Sequence, residues 1–159
     1  MTGYYHKFVQ NDGRIAALVT TLTRKDAFSW TLEETQSFEH HKEAICKAPA
    51  LTTSEFTKTF IVECDALGNG ISAILMQEGR PISFESRLIK GNNLHKPIYE
   101  KEMLEILHAL KKWCPYLMGR HFKIKLDHDS LKYFLEQRLS LEEQQKWVTK
   151  MLGYVFEII

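Results

Sequence analysis

From Thr59 onward, apolar and polar residues alternate along the chain. Phe60, Val62 and Cys64 share one parity and Ile61, Glu63 and Asp65 the other, which predicts a strand with one buried face, ending at Asp65 before the turn-forming Gly68-Asn69-Gly70. A second apolar run, Gly70 to Met76, and a third, Pro81 to Ser86, flank the hairpin-like turn Gln77-Glu78-Gly79-Arg80, so a three-stranded antiparallel meander is expected. Residues 87–97 are polar and read as a loop. Pro97 suits the first turn of a helix, in which Met103, Ile106, Leu107, Leu110, Trp113, Cys114 and Leu117 recur at three- and four-residue spacing as far as Gly119. Phe122, Ile124 and Leu126 then alternate with Lys123, Lys125 and Asp127, another strand. Helices are expected over Ser130–Gln137 and Leu141–Leu152, and a last strand over Tyr154–Ile159.

Before Thr59 the texture differs. Arg14–Leu22 and Leu32–Ile45 read as two helices around a loop with Phe28 and Trp30, and Thr31 followed three residues later by Glu34 is a capping-box signature. Phe38, Lys42 and Ile45 follow at helical spacing, and Phe28 and Trp30 read as packing residues. Composition adds bounds: 44% hydrophobic and 26% charged residues in 159 describe one ordinary globular domain with an appendage. The net charge is +1, from 21 basic and 20 acidic residues, so a polyanion has to be held by a local patch rather than by the field of the whole molecule. Cys46, Cys64 and Cys114 are odd in number and widely spaced, and read as reduced small hydrophobes of an intracellular protein. No apolar run reaches the ~18 residues of a membrane span, and Met1-Thr2-Gly3-Tyr4-Tyr5 is no signal peptide and reads as a start inside a longer protein.

The candidate chemistry lies in three acids. A long helix between two strands argues for a right-handed parallel crossover, with Asp65 and Asp127 at corresponding strand ends and facing the same way. Glu102 shares a helix face with Ile106 and Ala109 and can point at the sheet from the first turns. Three carboxylates in one pocket repel, and a divalent cation is the usual remedy; oxygen ligands suit magnesium or manganese, and a pair of such ions serves phosphodiester hydrolysis. Each acid also has a plain reading: Asp65 as a turn aspartate, Glu102 as a solvated helix acid, Asp127 as a helix cap. His128 can protonate a leaving group, orient Asp127, or cap and pack. Lys111, Lys112, Arg120, His121, Lys123, Lys125 and Lys132 form the densest basic stretch, read either as phosphate contacts or as a solvated face. His40, His41, His95 and His108 have no partner pattern and read as surface or packing residues.

Several motifs add a resemblance. Cys64-Asp65-Ala66, Gly70-Ile71-Ser72-Ala73-Ile74-Leu75, Pro81-Ile82-Ser83-Phe84, Tyr99-Glu100-Lys101-Glu102, Ala109-Leu110-Lys111-Lys112-Trp113 and Asp127-His128-Asp129-Ser130-Leu131 resemble, in order, the ribonuclease H domain of gypsy-type LTR retrotransposon polyproteins, particularly plant ones. Tyr4-Tyr5-His6-Lys7-Phe8 and Phe28-Ser29-Trp30 resemble the segment joining reverse transcriptase to that domain. The resemblance implies an α/β ribonuclease H-like fold with a five-stranded mixed sheet and flanking helices, residues 56–159, after a helical connection segment, residues 1–55. It implies cleavage of the RNA strand of RNA:DNA hybrids with Mg2+, or Mn2+ in its place, at a four-acid site whose first three positions fall on Asp65, Glu102 and Asp127. The fourth acid and its C-terminal helix are expected after Ile159. Implied partners are the hybrid and the reverse transcriptase of the same polyprotein, with no membrane, and the implied location is intracellular, in a cytoplasmic particle or the nucleus. Leu67 and Leu126 depart from the family pattern, which leaves an alternative: a weak or inactive, domesticated domain serving as a nucleic-acid or protein interaction module.

Overall fold

The computed structural model describes residues 6–26, 28–65, 70–126 and 142–159, with Asp65, residues 142–144 and 148 described by their backbone. The alternation around Val62 becomes β1 (Ile61–Asp65), which pairs antiparallel with β2 (Gly70–Gln77), itself antiparallel to β3 (Arg80–Leu88). Gln77 pairs with Arg80, so Glu78 and Gly79 form a two-residue loop, with φ of 50° and 73°. Two successive positive φ values give the turn whose twist matches that of the flanking strands, and Gly79 adopts its value without side-chain strain. β4 (His121–Leu126) lies parallel to β1 on its other side, and β5 (Val155–Ile158) lies parallel to β4. The sheet order is β3-β2-β1-β4-β5, the expected five-stranded mixed sheet.

The crossover from β3 to β4 runs through α4 (Ile98–Lys112), whose apolar stripe meets the Val62 face of the sheet, joined there by α6 (Glu142–Met151). Val62, Leu75, Met103, Ile106, Phe122 and Ile124 are fully enclosed in this core, each contributing about 1.5–3 kcal/mol by leaving water. The opposite face carries cross-strand ion pairs, Lys125–Glu63 at 3.0 Å and Lys123–Glu157 at 2.6 Å. The periodicity predicts one helix as far as Gly119, but α4 stops at Lys112 and a separate turn, α5 (Cys114–Leu117), follows. Pro115 is the cause: it lacks the N–H that would bond Lys111 O. Within 87–97, β3 reaches Leu88, Ile89 is buried, and Gly91–His95 forms a short 3-10 helix.

The N-terminal segment departs furthest from its periodicity. In place of one helix over Arg14–Leu22 there are two short pieces, α1 (Asp12–Ile15) and α2 (Ala17–Thr21). α3 (Leu32–Cys46) starts with the expected capping box of Thr31 and Glu34, yet of its residues only His41 is buried. Polar ties dominate: His41 Nε2 lies 2.7 Å from Asp12 Oδ1, Ser37 Oγ donates to Ile15 O, and Gly13 N donates to Ser86 Oγ at 2.7 Å. A Cβ at Gly13 would sit 2.9 Å from Ser86 O, so that close approach of α1 to β3 requires glycine. Phe28, Trp30 and Phe38 pack on one another in an exposed cluster, with Phe28 75% accessible. Cys46, Cys64 and Cys114 are all free, Cys46 exposed and Cys64 buried.

A polar clasp fixes α4 against β3. Glu85 on β3 receives His108 Nε2 at 3.0 Å and Lys112 Nζ at 3.2 Å, so His108 has the partner that its sequence surroundings did not reveal. Burial opposes the charge of Glu85, but His108 and Lys112 outweigh it and hold the carboxyl below its ordinary 4.5. Folding therefore favours the ionised form, and the stabilisation is present above pH 4.5 and fades as pH falls through the lowered value. Glu85→Gln is expected to lower stability by about 1–2 kcal/mol near neutrality and by much less near pH 3. Paired thermal melts across that range check this, and a pH-independent difference contradicts it.

Candidate active site

β1 and β4 define the site's frame. Their register pairs Val62 with Ile124 and Cys64 with Leu126, so the two strands leave the sheet side by side and in the same direction. Asp65 is the last residue of β1 and pairs through its backbone with Ser72 of β2. Asp127 and His128, which follow Leu126, lie outside the described residues, as do Lys132 and the helix expected over Ser130–Gln137. The parallel pairing on which the reading of Asp65 and Asp127 depends is thus present up to the residue before each acid.

Glu102 lies on the second turn of α4 and is only 6% accessible, so it is not a solvated helix acid. The favourable position near the helix start is taken by Glu100, which pairs with Lys96 at 2.6 Å. Glu102 is close enough to β1 to act on Cys64: burial first, then the charges of Glu105, Glu63 and Glu102, push that thiol well above its usual range. Cys64 therefore stays protonated, and the donors around the end of β1 are carboxylate oxygens. That donor chemistry fits a hard divalent cation such as Mg2+ or Mn2+. Of the trio, Glu102 alone has its side chain among the described residues, and within those residues no group of three or more His, Cys, Asp and Glu is arranged to hold a metal.

Glu105 is the residue that sequence reasoning missed. One turn beyond Glu102 on α4, it is fully buried, and its Oε1 accepts a hydrogen bond from Ser72 N at 2.6 Å. Since Ser72 is the backbone partner of Asp65, this bond ties α4 to the strand beside the site. The signal was in the sequence, because a carboxylate between Met103 and Ile106 interrupts the buried face of an amphipathic helix.

The basic stretch is largely neutralised where it stands. Lys112, Lys123 and Lys125 pair with Glu85, Glu157 and Glu63, while Arg120 donates to Phe56 O at 2.8 Å and lies 4.8 Å from the centre of the Phe56 ring. Lys111 instead lines a cavity between β3, α4 and α6, together with Arg87, Lys90 and Lys150.

A mixed sheet ordered β3-β2-β1-β4-β5, with β1 parallel to β4 and a crossover helix that carries a buried acid, is the ribonuclease H-like fold. The chain belongs to the family described as the RNase H-like domain found in reverse transcriptase, which it matches over residues 55–154. It is 35% identical over 160 residues to the retrovirus-related Pol polyprotein from transposon 297 of Drosophila melanogaster, aligning 99% of this chain with 15% of that one. Against the polyprotein from transposon opus of the same organism the figures are 32%, 100% and 18%, and against the transposon Tf2-3 polyprotein of Schizosaccharomyces pombe 28%, 98% and 12%. The chain thus spans less than a fifth of these relatives' length. Among solved structures, a foamy viral protease-reverse transcriptase in complex with double-stranded DNA aligns with a TM-score of 0.83 at 18% identity, over 98% of this chain and 29% of that one. Another, in complex with an RNA/DNA hybrid, aligns at 0.78 and 19%, over 98% and 23%.

Glu105→Leu strips Ser72 N–H of this acceptor and is expected to cost about 1–3 kcal/mol, whereas Glu105→Gln, which keeps an oxygen there, should cost clearly less. Urea unfolding combined with exchange of the Ser72 amide measures this. Equal stability and equal Ser72 protection in the two variants contradict the assigned bond.

Proposed function

We propose that this chain is a ribonuclease H that cuts the RNA strand of an RNA:DNA hybrid with Mg2+, or Mn2+ in its place, as part of a reverse transcriptase polyprotein. The observation that carries the reading is the parallel register Cys64–Leu126, which aligns the strands leading into Asp65 and Asp127. Buried Glu102 on the adjoining helix and membership of the family of RNase H-like domains found in reverse transcriptase support it. In this reading Asp65 and Asp127 hold the metal ions, and Glu102 bridges to a metal or to a 2′-hydroxyl of the RNA. When bound, the ions supply activation of a water and charge stabilisation at the leaving oxygen. The chain's own residues align the scissile phosphate and offer His128 to protonate the leaving oxygen or to orient Asp127.

The same proposal makes residues 1–55 a connection to the reverse transcriptase and residues 56–159 the nuclease, in a gypsy-type, plant-like element acting inside the cell, in a cytoplasmic particle or the nucleus. The motif run from Cys64-Asp65-Ala66 to Asp127-His128-Asp129 supports the element type. Recognition of the hybrid rests on 2′-hydroxyls and duplex shape. No helix among the described residues is long and apolar enough to cross a membrane.

A labelled RNA:DNA hybrid with Mg2+ or Mn2+ tests the proposal on the chain and on a version continued past Ile159. Hybrid cleavage is expected, and Asp65→Asn should reduce it by more than about 100-fold, since losing even an outer-shell partner of a metal ligand costs about 10–100-fold. Hybrid bound but left uncut by both proteins under every metal condition contradicts the enzyme and favours an interaction module. Full activity in Asp65→Asn contradicts the site.

A further inference from the structure

The cavity between β3, α4 and α6 measures about 640 Å³, within the range of small-ligand sites. Its floor is aliphatic, with Ile89, Leu104 and Leu107, and its rim carries the exposed Arg87, Lys90, Lys111 and Lys150; no aspartate or glutamate lines it among the described residues. This is where the charge census departs from the rest of the molecule. Lys112, Lys123 and Lys125 are matched by carboxylates, whereas Lys90, Lys111 and Lys150 form no ion pair among the described residues. Arg87 is held by one nitrogen, 3.3 Å from His108 Nδ1, which keeps its guanidinium on the rim. Like charges gathered around one concavity raise the local potential and favour an anion there.

We propose that this cavity binds one nucleotide of a single nucleic-acid strand, with the phosphate among Lys90, Lys111 and Lys150 and the base against Leu104 and Leu107. A duplex keeps its bases stacked inside and would meet only the rim, whereas an unpaired nucleotide covers both the cations and the aliphatic floor. From Glu102 to Lys111 is nine residues of α4, roughly 13 Å at 1.5 Å each, or about four nucleotides at 3.4 Å. The site thus suits a strand running on from a duplex held at the carboxylates. It rests on the reading of the chain as a nucleic-acid enzyme, but its test requires no cleavage.

The test is fluorescence anisotropy of a labelled ten-nucleotide DNA strand across a salt series with the parent, the double variant Lys111→Gln/Lys150→Gln, and Lys47→Gln as a control on α3. Each phosphate contact on a single strand contributes about 0.7 to the slope of log affinity against log salt, so the double variant should be shallower by about 1.4 and the control unchanged. An unchanged slope in the double variant, an equal loss in the control, or an equal loss on a blunt duplex overturns the proposal. So does stronger displacement of the strand by polyglutamate than by unlabelled DNA, which would mark an acidic-peptide surface. Loss confined to the double variant and the single strand supports it, even in a chain that never cuts a hybrid.

Discussion

Parallel pairing of β1 with β4 is the constraint on which the other features depend. Two neighbouring strands can run in the same direction only if the chain between them returns over the sheet, and here that return is α4. The helix needs a buried face to lie there, and Met103, Ile106, Ala109 and Leu110 supply it against Val62, Leu75 and Ile124. Once α4 is seated, Glu102 is carried to the end of β1 whatever its own preference for water. The same geometry holds Cys64 and Leu126 side by side at the ends of the two strands.

Burying acids beside such a helix has a cost that the structure meets in different ways. Glu85 is offset by His108 Nε2 and the Lys112 ammonium, and Glu105 by a backbone donor, Ser72 N. Isolated buried carboxylates are strongly disfavoured, so the partners decide what each acid can do. Glu85 is a clasp and Glu105 a tie between helix and strand. Glu102, buried one turn before Glu105, adds its charge to those that hold the Cys64 thiol protonated.

Strand and helix positions around the site were legible because their patterns are strong: alternation marked β1 and β4, an apolar run marked β2, and the three- and four-residue spacing marked α4. The right-handed crossover rule makes those elements a parallel pair from the order of strand, helix and strand alone. Where local pattern and packing disagree, the sequence was less informative. Pro115 splits a stripe that looks continuous, and α3 is held by polar ties to Asp12 and Ile15 that its own spacing does not show. The partners of His41 and His108 are 29 and 23 residues away, beyond any local motif. Likewise, the basic stretch read as one patch, because cross-strand neighbours such as Glu63 and Glu157 come together only in the folded sheet.

If the ends of β1 and β4 form one metal-binding locus with Glu102, a bound ion must lie close to all three at once. Titrating the protein with substoichiometric Mn2+ while following backbone amide signals measures this directly, since the paramagnetic ion broadens only nearby nuclei. Cys64, Leu126 and Glu102 are expected to lose intensity together, ahead of the rest of the chain. Broadening concentrated elsewhere, such as around Glu33 and Glu34 at the start of α3, or Cys64 and Leu126 responding at different metal levels, contradicts it.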